Sequence, residues 1–375
     1  MVCLFGGGRW AKVLLTVLLQ NYPDLKIIWV TKFGYINNLQ WLKTQSPNNV
    51  LITHDENHAW NLKPQAAIIA TASHSHYKYL KEAVSRKIPV LSEKPFCLSI
   101  HEAQELVDLN KQMQVPMGVN FEFMYASYLN DLAASIKNTE ILSIDITWED
   151  PFSETRYGEK KIGDTCTPMM HDSLQHCWSM LKILFPDDKL SLSCVSYNEE
   201  DSTVSINAKM GTISVKLSLS RRASKRARKI SINGGTVVLD FAIEPGTITI
   251  DQKVIQNVWH WDSPLRAVFN SFFSVIKDPA LQHKWPLNIH NCMEIVSLSV
   301  QATKLLEQVQ MRCLKNRVPL IANDTATRNL LIDIFLPKIC AIGEQHPISD
   351  IDDQLTFSNY IINKLNTTWK SLLIS

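Results

Sequence analysis

At 375 residues the chain is long enough for two domains, and 38 basic against 36 acidic side chains leave a net charge of +2 that calls for neither nucleic acid nor an anionic membrane. Hydrophobic residues make up 45%, ordinary for a globular protein, yet no apolar run approaches the roughly 20 residues of a membrane span. The eight cysteines contain no C-x-x-C pair, which excludes a zinc ribbon or dithiol motif, and without an export signal they imply reduced thiols in a cytoplasm.

The chain opens on a short apolar run, residues 2–5, followed by Gly6, Gly7, Gly8, Arg9, Trp10 and Ala11 and then an apolar helical stretch over 13–19. This reads as strand, tight turn, helix. Gly6, Gly8 and Ala11 fit G-x-G-x-x-G/A, in which the first glycine permits the turn and the second lets backbone approach a pyrophosphate. The third small residue packs helix on strand, and the helix N-terminus offers N–H groups to phosphate. A second strand over 26–30 follows at the spacing of a βαβ unit. Short strands are predicted over 50–53, 66–71, 89–92 and 117–121, with helices over 77–86 and 100–114. The run over 66–71 is continuously apolar, as in a parallel strand covered on both faces. Alternating strand and helix predicts a doubly wound parallel sheet.

From about residue 129 the pattern changes. Residues 141–148 alternate in period two, 149–168 are polar and irregular, and 169–185 read as a helix. Strands follow over 190–197, 203–208, 212–220, 229–232, 236–241 and 247–250, punctuated by Gly211, Gly234-Gly235 and Pro245-Gly246. A mostly antiparallel sheet is expected, with one face open to a helix or another subunit. Residues 265–276 and 292–309 return to helical period, and the tail past 319 also reads as helical.

Separated motifs then line up: Gly6 to Ala11, Ala70-Thr71-Ala72-Ser73-His74-Ser75-His76, Ser92-Glu93-Lys94-Pro95, Gly118-Val119-Asn120-Phe121, and Asp172-Ser173-Leu174-Gln175-His176. In order and spacing they resemble the glucose-fructose oxidoreductase / inositol dehydrogenase / MocA family over about residues 1–320. The resemblance implies an N-terminal Rossmann domain (1–122), a C-terminal α+β substrate and oligomerisation domain with a largely antiparallel open sheet (123–320), and here a helical extension (321–375). It implies nicotinamide-dependent hydride transfer on sugars, cyclitols and related polyols, sometimes on imines, and a homodimer or homotetramer formed through the C-terminal sheet. It places Trp10, Thr71, Ser73, His76 and Glu93 on the cofactor, with His76 flanking the nicotinamide ribose. Leu174, and Gly163 to Pro168 ahead of the pair, depart from the family's glycine-rich pattern and favour a specialised intermediate, such as a cyclic imine, alongside a simple sugar.

In the same resemblance Lys94, Asp172 and His176 line one pocket. Imidazole carries protons near neutrality, a carboxylate four residues away shares its helix face, and a lysine at a parallel strand's end can bond the reacting atom. His176 is assigned general acid/base work, Lys94 assistance and Asp172 orientation. Asn120, Tyr125 and His171 are candidate substrate contacts, as are Arg156 and Tyr157 from the aromatic and polar stretch 148–157. Neither His171, Asp172 and His176 nor His54 and His58 complete a metal-ligand set, so no metal is expected. The second strand ends in Thr31-Lys32 without an acid, and Arg9 lies in the glycine turn. A hydroxyl and two cations suit a 2′-phosphate, so NADP(H) is favoured over NAD(H). Arg221, Arg222, Lys225, Arg226, Arg228 and Lys229 form one basic run, read either as a solvated turn or as docking for an acidic carrier protein bearing the substrate. No aromatic interleaving suggests nucleic acid. The rival from another class is a catalytically silent dinucleotide sensor.

Overall fold

The computed structural model describes residues 1–32, 34–156, 159–259, 263–317, 324–341 and 351–368. They form two compact units, one of residues 1–127 and 259–297, the other of residues 128–258 and 298–375.

Unit 1 is built on six parallel strands: β1 (Val2–Phe5), β2 (Ile27–Val30), β3 (Val50–Thr53), β4 (Ala66–Ile69), β5 (Val90–Glu93) and β6 (Met117–Asn120). Their order is β3-β2-β1-β4-β5-β6, the doubly wound arrangement whose direction reverses between β1 and β4. All but the edge strand β3 are buried at every position; β1, β2 and β4 are unbroken apolar runs, while β5 and β6 bury the polar ends Ser92-Glu93 and Asn120. The crossover helices are α1 (Arg9–Asn21), α2 (Tyr35–Gln45), α3 (Glu56–Asn61), α4 (His76–Ser85) and α5 (Ile100–Met113). The 1–122 boundary is redrawn, because residues 259–297 rejoin this unit. A later helix, α8 (Pro264–Lys277), buries Val268, Phe269, Phe272 and Val275. Its Asn270 accepts from the Tyr22 hydroxyl at 2.5 Å, and Phe273 meets the Tyr22 ring edge-on at 5.0 Å. Trp285 lies against β6 where a Cβ on Gly118 would come within 2.1 Å of its ring. Helical periodicity reveals an apolar stripe but not its partner, which is why this return is invisible in the sequence.

Unit 2 holds α6 (Ser127–Ser135), the long strand β7 (Ser143–Glu149), a hairpin of β8 (Ser153–Arg156) and β9 (Glu159–Ile162), and helix α7 (Met169–Leu184). It continues through β10 (Leu190–Asn198), β11 (Thr203–Met210), β12 (Ile213–Ser220), β13 (Ala227–Ile232), β14 (Val237–Asp240), β15 (Thr247–Ile250) and β16 (Lys253–Gln256). The eight-stranded sheet runs β10-β11-β12-β7-β13-β14-β15-β16, antiparallel except for the parallel pair β12 and β7. Period two explains its face: Ile144, Ile146 and Trp148 of β7 are buried while their neighbours are partly exposed. The helix α9 (Met293–Lys315) runs on into α10 (Thr325–Ala341) and α11 (Ile351–Thr368).

The extension is part of this unit. Leu330, Leu331, Ile332, Ile334 and Leu336 of α10 are each at most 1% exposed and cluster with Leu314, Phe357 and Ile361. Both oxygens of Asp333 accept from Arg222 at 2.8 Å. A helix apolar on nearly every side must be covered on nearly every side, and α10 is.

Candidate active site

The glycine turn sits at the point where strand order reverses. Gly6 has φ +135°, and a Cβ there would lie 2.2 Å from the carbonyl oxygen of Ala70. No side chain is tolerated. Gly8 is different: it is extended, exposed, and a Cβ would meet nothing within 4 Å. The chain itself does not need glycine there, but a ligand lying against the backbone would. Gly8 begins α1 without a side-chain cap, and the first turn carries no acid, so the positive helix end is not neutralised locally.

The turn is held from behind by residues no motif contains. The Trp29 indole donates to Gly6 O at 2.7 Å, and Asn38 Nδ2 donates to Gly7 O at 3.0 Å. In a trans peptide the carbonyl and the next N–H point in opposite directions. Anchoring these two carbonyls inward therefore turns the Gly7 and Gly8 N–H groups outward, as a pyrophosphate requires. Asn38 also donates to the Thr31 hydroxyl at 2.7 Å. Thr31 is fully buried, and its hydroxyl is engaged by the same asparagine that anchors the turn. Lys32 beyond it is exposed, and Arg9 and Trp10 are partly so.

At the end of β5, Glu93 is buried and accepts from Asn120 Nδ2 at 2.6 Å. Burial pushes its carboxyl above the ordinary range, against the pull of Trp10, Asn120 and Lys94. With its nitrogen committed to Glu93, Asn120 presents its Oδ1, which is buried and has no hydrogen-bond partner. An orphaned acceptor of this kind is costly unless a ligand N–H or O–H fills it. The outward amides, the open Gly8 and this acceptor fit a dinucleotide running along the strand ends with an amide at its far end. Lys94, partly buried, follows directly. His76 is buried, its Nδ1 2.7 Å from Pro95 O and its Nε2 3.0 Å from Thr71 O. Burial lowers its pKa, and the ring sits between the carbonyls of the turn after β4 and of the peptide beyond Lys94, donating to one of them through whichever nitrogen carries the proton. Thr71 accepts from the Ser75 hydroxyl at 3.0 Å, and Ser73 is buried. The Tyr125 hydroxyl engages Ser271 and Trp285, and burial raises its pKa.

In unit 2, α7 carries Asp172 and His176 one turn apart, both partly exposed, with His171 buried between them and α9, 3.3 Å from Thr303. The His176 ring stacks on Trp148 at 4.4 Å and 21°. The Arg228 guanidinium lies 3.4 Å from the centre of the same indole. Two planar groups at those distances cannot share one face, so the indole is sandwiched between imidazole and guanidinium. Arg228 also donates to Asp150 at 2.6 Å. Asp172 pairs with Arg221 at 3.2 Å. Arg156 lies in β8, opposite Glu159 in the backbone register, and Tyr157 lies outside the described residues. Among the described residues no group of three or more His, Cys, Asp or Glu is gathered to hold a metal.

The basic run turns inward, contrary to its reading as a solvated or docking surface. Arg221 and Arg222 pair with Asp172 and Asp333, and Arg226 and Arg228 with Asp150. Only Lys225 and Lys229 of the six are fully exposed. The carboxylates that neutralise it come from the loop after β7, from α7 and from α10, all distant in sequence. Glu154, bonded by Arg226 and by Lys161 at 3.2 Å, has a testable consequence. Burial alone would raise its carboxyl, but the two cations outweigh this and hold it at about 2, below the unperturbed 4.5. The stability this adds is complete above pH 4.5 and drains away as pH falls toward 2. Wild type should therefore exceed Glu154→Gln in urea resistance at about pH 6, with the gap narrowing below about pH 4 and closing only near about pH 2. An unchanged gap would contradict the pairing.

The family model for oxidoreductases with an NAD-binding Rossmann fold, the Gfo/Idh/MocA family, matches residues 2–121. Those residues match the family's NAD-binding Rossmann domain. Glucose-6-phosphate 3-dehydrogenase of Bacillus subtilis (strain 168) is 32% identical over 85 residues, 22% of this chain and 24% of that enzyme. The match thus spans about a quarter of that curated relative's length. The fold extends further. UDP-N-acetylglucosamine 3-dehydrogenase from Acidithiobacillus ferrooxidans superposes with a TM-score of 0.63 at 14% identity, covering 82% of this chain and 98% of that one. An inositol dehydrogenase homologue from Azotobacter vinelandii, solved with NADH and myo-inositol, gives 0.61 at 14%, covering 81% and 95%. The Gfo/Idh/MocA domain thus accounts for the glycine turn and the Glu93-Lys94-Pro95 step. Among the described residues no helix is long and apolar enough to cross a membrane.

Proposed function

We propose that this chain is a nicotinamide-dependent oxidoreductase acting on a hydroxyl/carbonyl carbon, or an amine/imine carbon, of a sugar-like or specialised biosynthetic intermediate, with NADP(H) as preferred cofactor. The observation that carries the reading is the outward-facing, uncapped amide cradle at Gly6 to Gly8, backed by the orphan acceptor on Asn120. A bound nicotinamide dinucleotide supplies a hydride donor or acceptor. The chain's residues supply the rest. The Gly7 and Gly8 amides and the α1 N-terminus bind pyrophosphate, and exposed Lys32 with Arg9 favours a 2′-phosphate. Asn120 Oδ1 accepts an amide N–H. Lys94 donates a hydrogen bond to the reacting oxygen or nitrogen. His176 carries the proton, its ring plane set by Trp148, and Asp172 orients the substrate hydroxyl or the ring. Assembly through the open face of the eight-stranded sheet belongs to the same proposal.

The test is absorbance at the nicotinamide band with NADP+ or NAD+ and a panel of glucose 6-phosphate, UDP-N-acetylglucosamine, myo-inositol and cyclic imines, the last with NADPH or NADH. Turnover on any member supports the reading. Saturable cofactor binding with no turnover across the panel favours a dinucleotide sensor instead.

A further inference from the structure

Arg221 belongs to none of the motifs that mark the site, yet its side chain is 7% exposed and spends its donors on the segment leading into α7. Nη1 donates to Asp164 O and Thr167 O, both at 2.7 Å, and Nη2 pairs with Asp172 Oδ2 at 3.2 Å. That segment is already folded on itself. Asp164 Oδ1 accepts from the Cys166 and Thr167 amides at 2.9 and 3.2 Å, and Oδ2 accepts from the Thr167 hydroxyl at 2.5 Å. Helix α7 starts at Pro168 without a side-chain cap, and Asp172 is the acid in its first turn. One planar fork thus fixes both the approach to the helix and the carboxylate on its first turn, a geometry a lysine could not reproduce.

We infer that Arg221 is a positioning residue: it holds Asp172 in one orientation and partly neutralises it, and so weakens that carboxylate's pull on the imidazolium form of His176, one turn along the same face. The functional meaning rests on His176 as the proton carrier, but the charge linkage does not. Several described groups bear on His176. Its own helix contributes Asp172 and His171. β7 contributes Trp148 and, beyond it, Asp150, while β13 contributes Arg228 across the indole. β12 turns Val215, Leu217 and Leu219 inward, and α9 meets α7 through the neutral Ser299 and Thr303. Removing Arg221 deletes a cation and frees a carboxylate, and both changes favour the imidazolium.

The experiment is an imidazole NMR pH titration of the full chain, with the His176 signal assigned by its loss in His176→Gln. Arg221→Met should raise the His176 midpoint by about 0.5–1 pH unit, and Arg221→Lys should recover only part of the shift. In an Asp172→Asn background the same change should move it by less than about 0.3 unit. A wild-type-background shift below about 0.2 unit, or an equal shift with and without Asp172, overturns the inference. Should Arg221→Met not fold, Asp172→Asn alone decides: a lower midpoint supports the linkage and an unchanged one overturns it. Because no substrate is present, a full shift in a chain that turns nothing over would sink the enzyme reading and leave the positioning role standing.

Discussion

Gly6→Ala should lose nicotinamide-nucleotide binding altogether and lower stability by about 3 kcal/mol or more, in sum from backbone strain and overpacking. The φ of +135° is one that alanine rarely adopts, and the new methyl would sit 2.2 Å from the backbone carbonyl oxygen of Ala70, just past the neighbouring strand. A backbone atom cannot swing aside as a flexible side chain would. Gly8→Ala is the control. Its φ of −78° is ordinary and its Cβ meets nothing of the chain, so thermal stability should stay within about 0.5 kcal/mol of wild type. Binding should nevertheless weaken, because the added methyl faces the space the ligand occupies. Thermal unfolding and cofactor titration on the two variants read both halves. Equal stability loss in both, or full binding in Gly8→Ala, would show that the open side of the turn is not where a dinucleotide lies.

Lys94→Ala and His176→Ala should each lower turnover by about 10²–10⁴-fold on whichever substrate the panel identifies, while NAD(P)H affinity stays within about two-fold. The separation follows from their placement. The cradle amides and Lys32 belong to the β1 and β2 ends, Lys94 follows β5, and His176 stands on α7 of the other unit. Trp148→Leu offers a graded version. It removes the surface on which the imidazole stacks and the aromatic face that shelters Arg228, so kcat should fall with NAD(P)H affinity unchanged. A large loss of cofactor affinity in His176→Ala, or unaltered turnover in Lys94→Ala, would remove these residues from the roles given them.

The glycine turn was legible because its constraints are local: φ at Gly6 and close packing at Ala11 depend on neighbours in sequence. The parallel sheet was legible because strands buried on both faces read as unbroken apolar runs. The hydrogen bond from Asn38 to Thr31 was not legible because Asn38 sits on α2, where Asn38 and Leu42 alone are buried, too faint a stripe to mark a helix. The hairpin of β8 and β9 hid in 149–168 because charge pairing, not apolar alternation, holds it. Arg221 and Arg228 read as surface because a run of cations shows nothing of the carboxylates that will meet it. Those carboxylates, Asp150, Asp172 and Asp333, lie far away in sequence. Residues 259–297 looked like part of the second domain because chain order is the default guess, and contacts such as Trp285 against Gly118 and Asn270 with Tyr22, distant in sequence, show otherwise.

The most direct measurement is a fluorescence titration of the full-length chain with NADPH and, separately, with NADH. Saturable binding in about the micromolar range, tighter for NADPH and absent in Gly6→Ala, is the expected result. A folded wild-type chain whose signal fails to saturate with either nucleotide up to about millimolar concentration would contradict the account at its root.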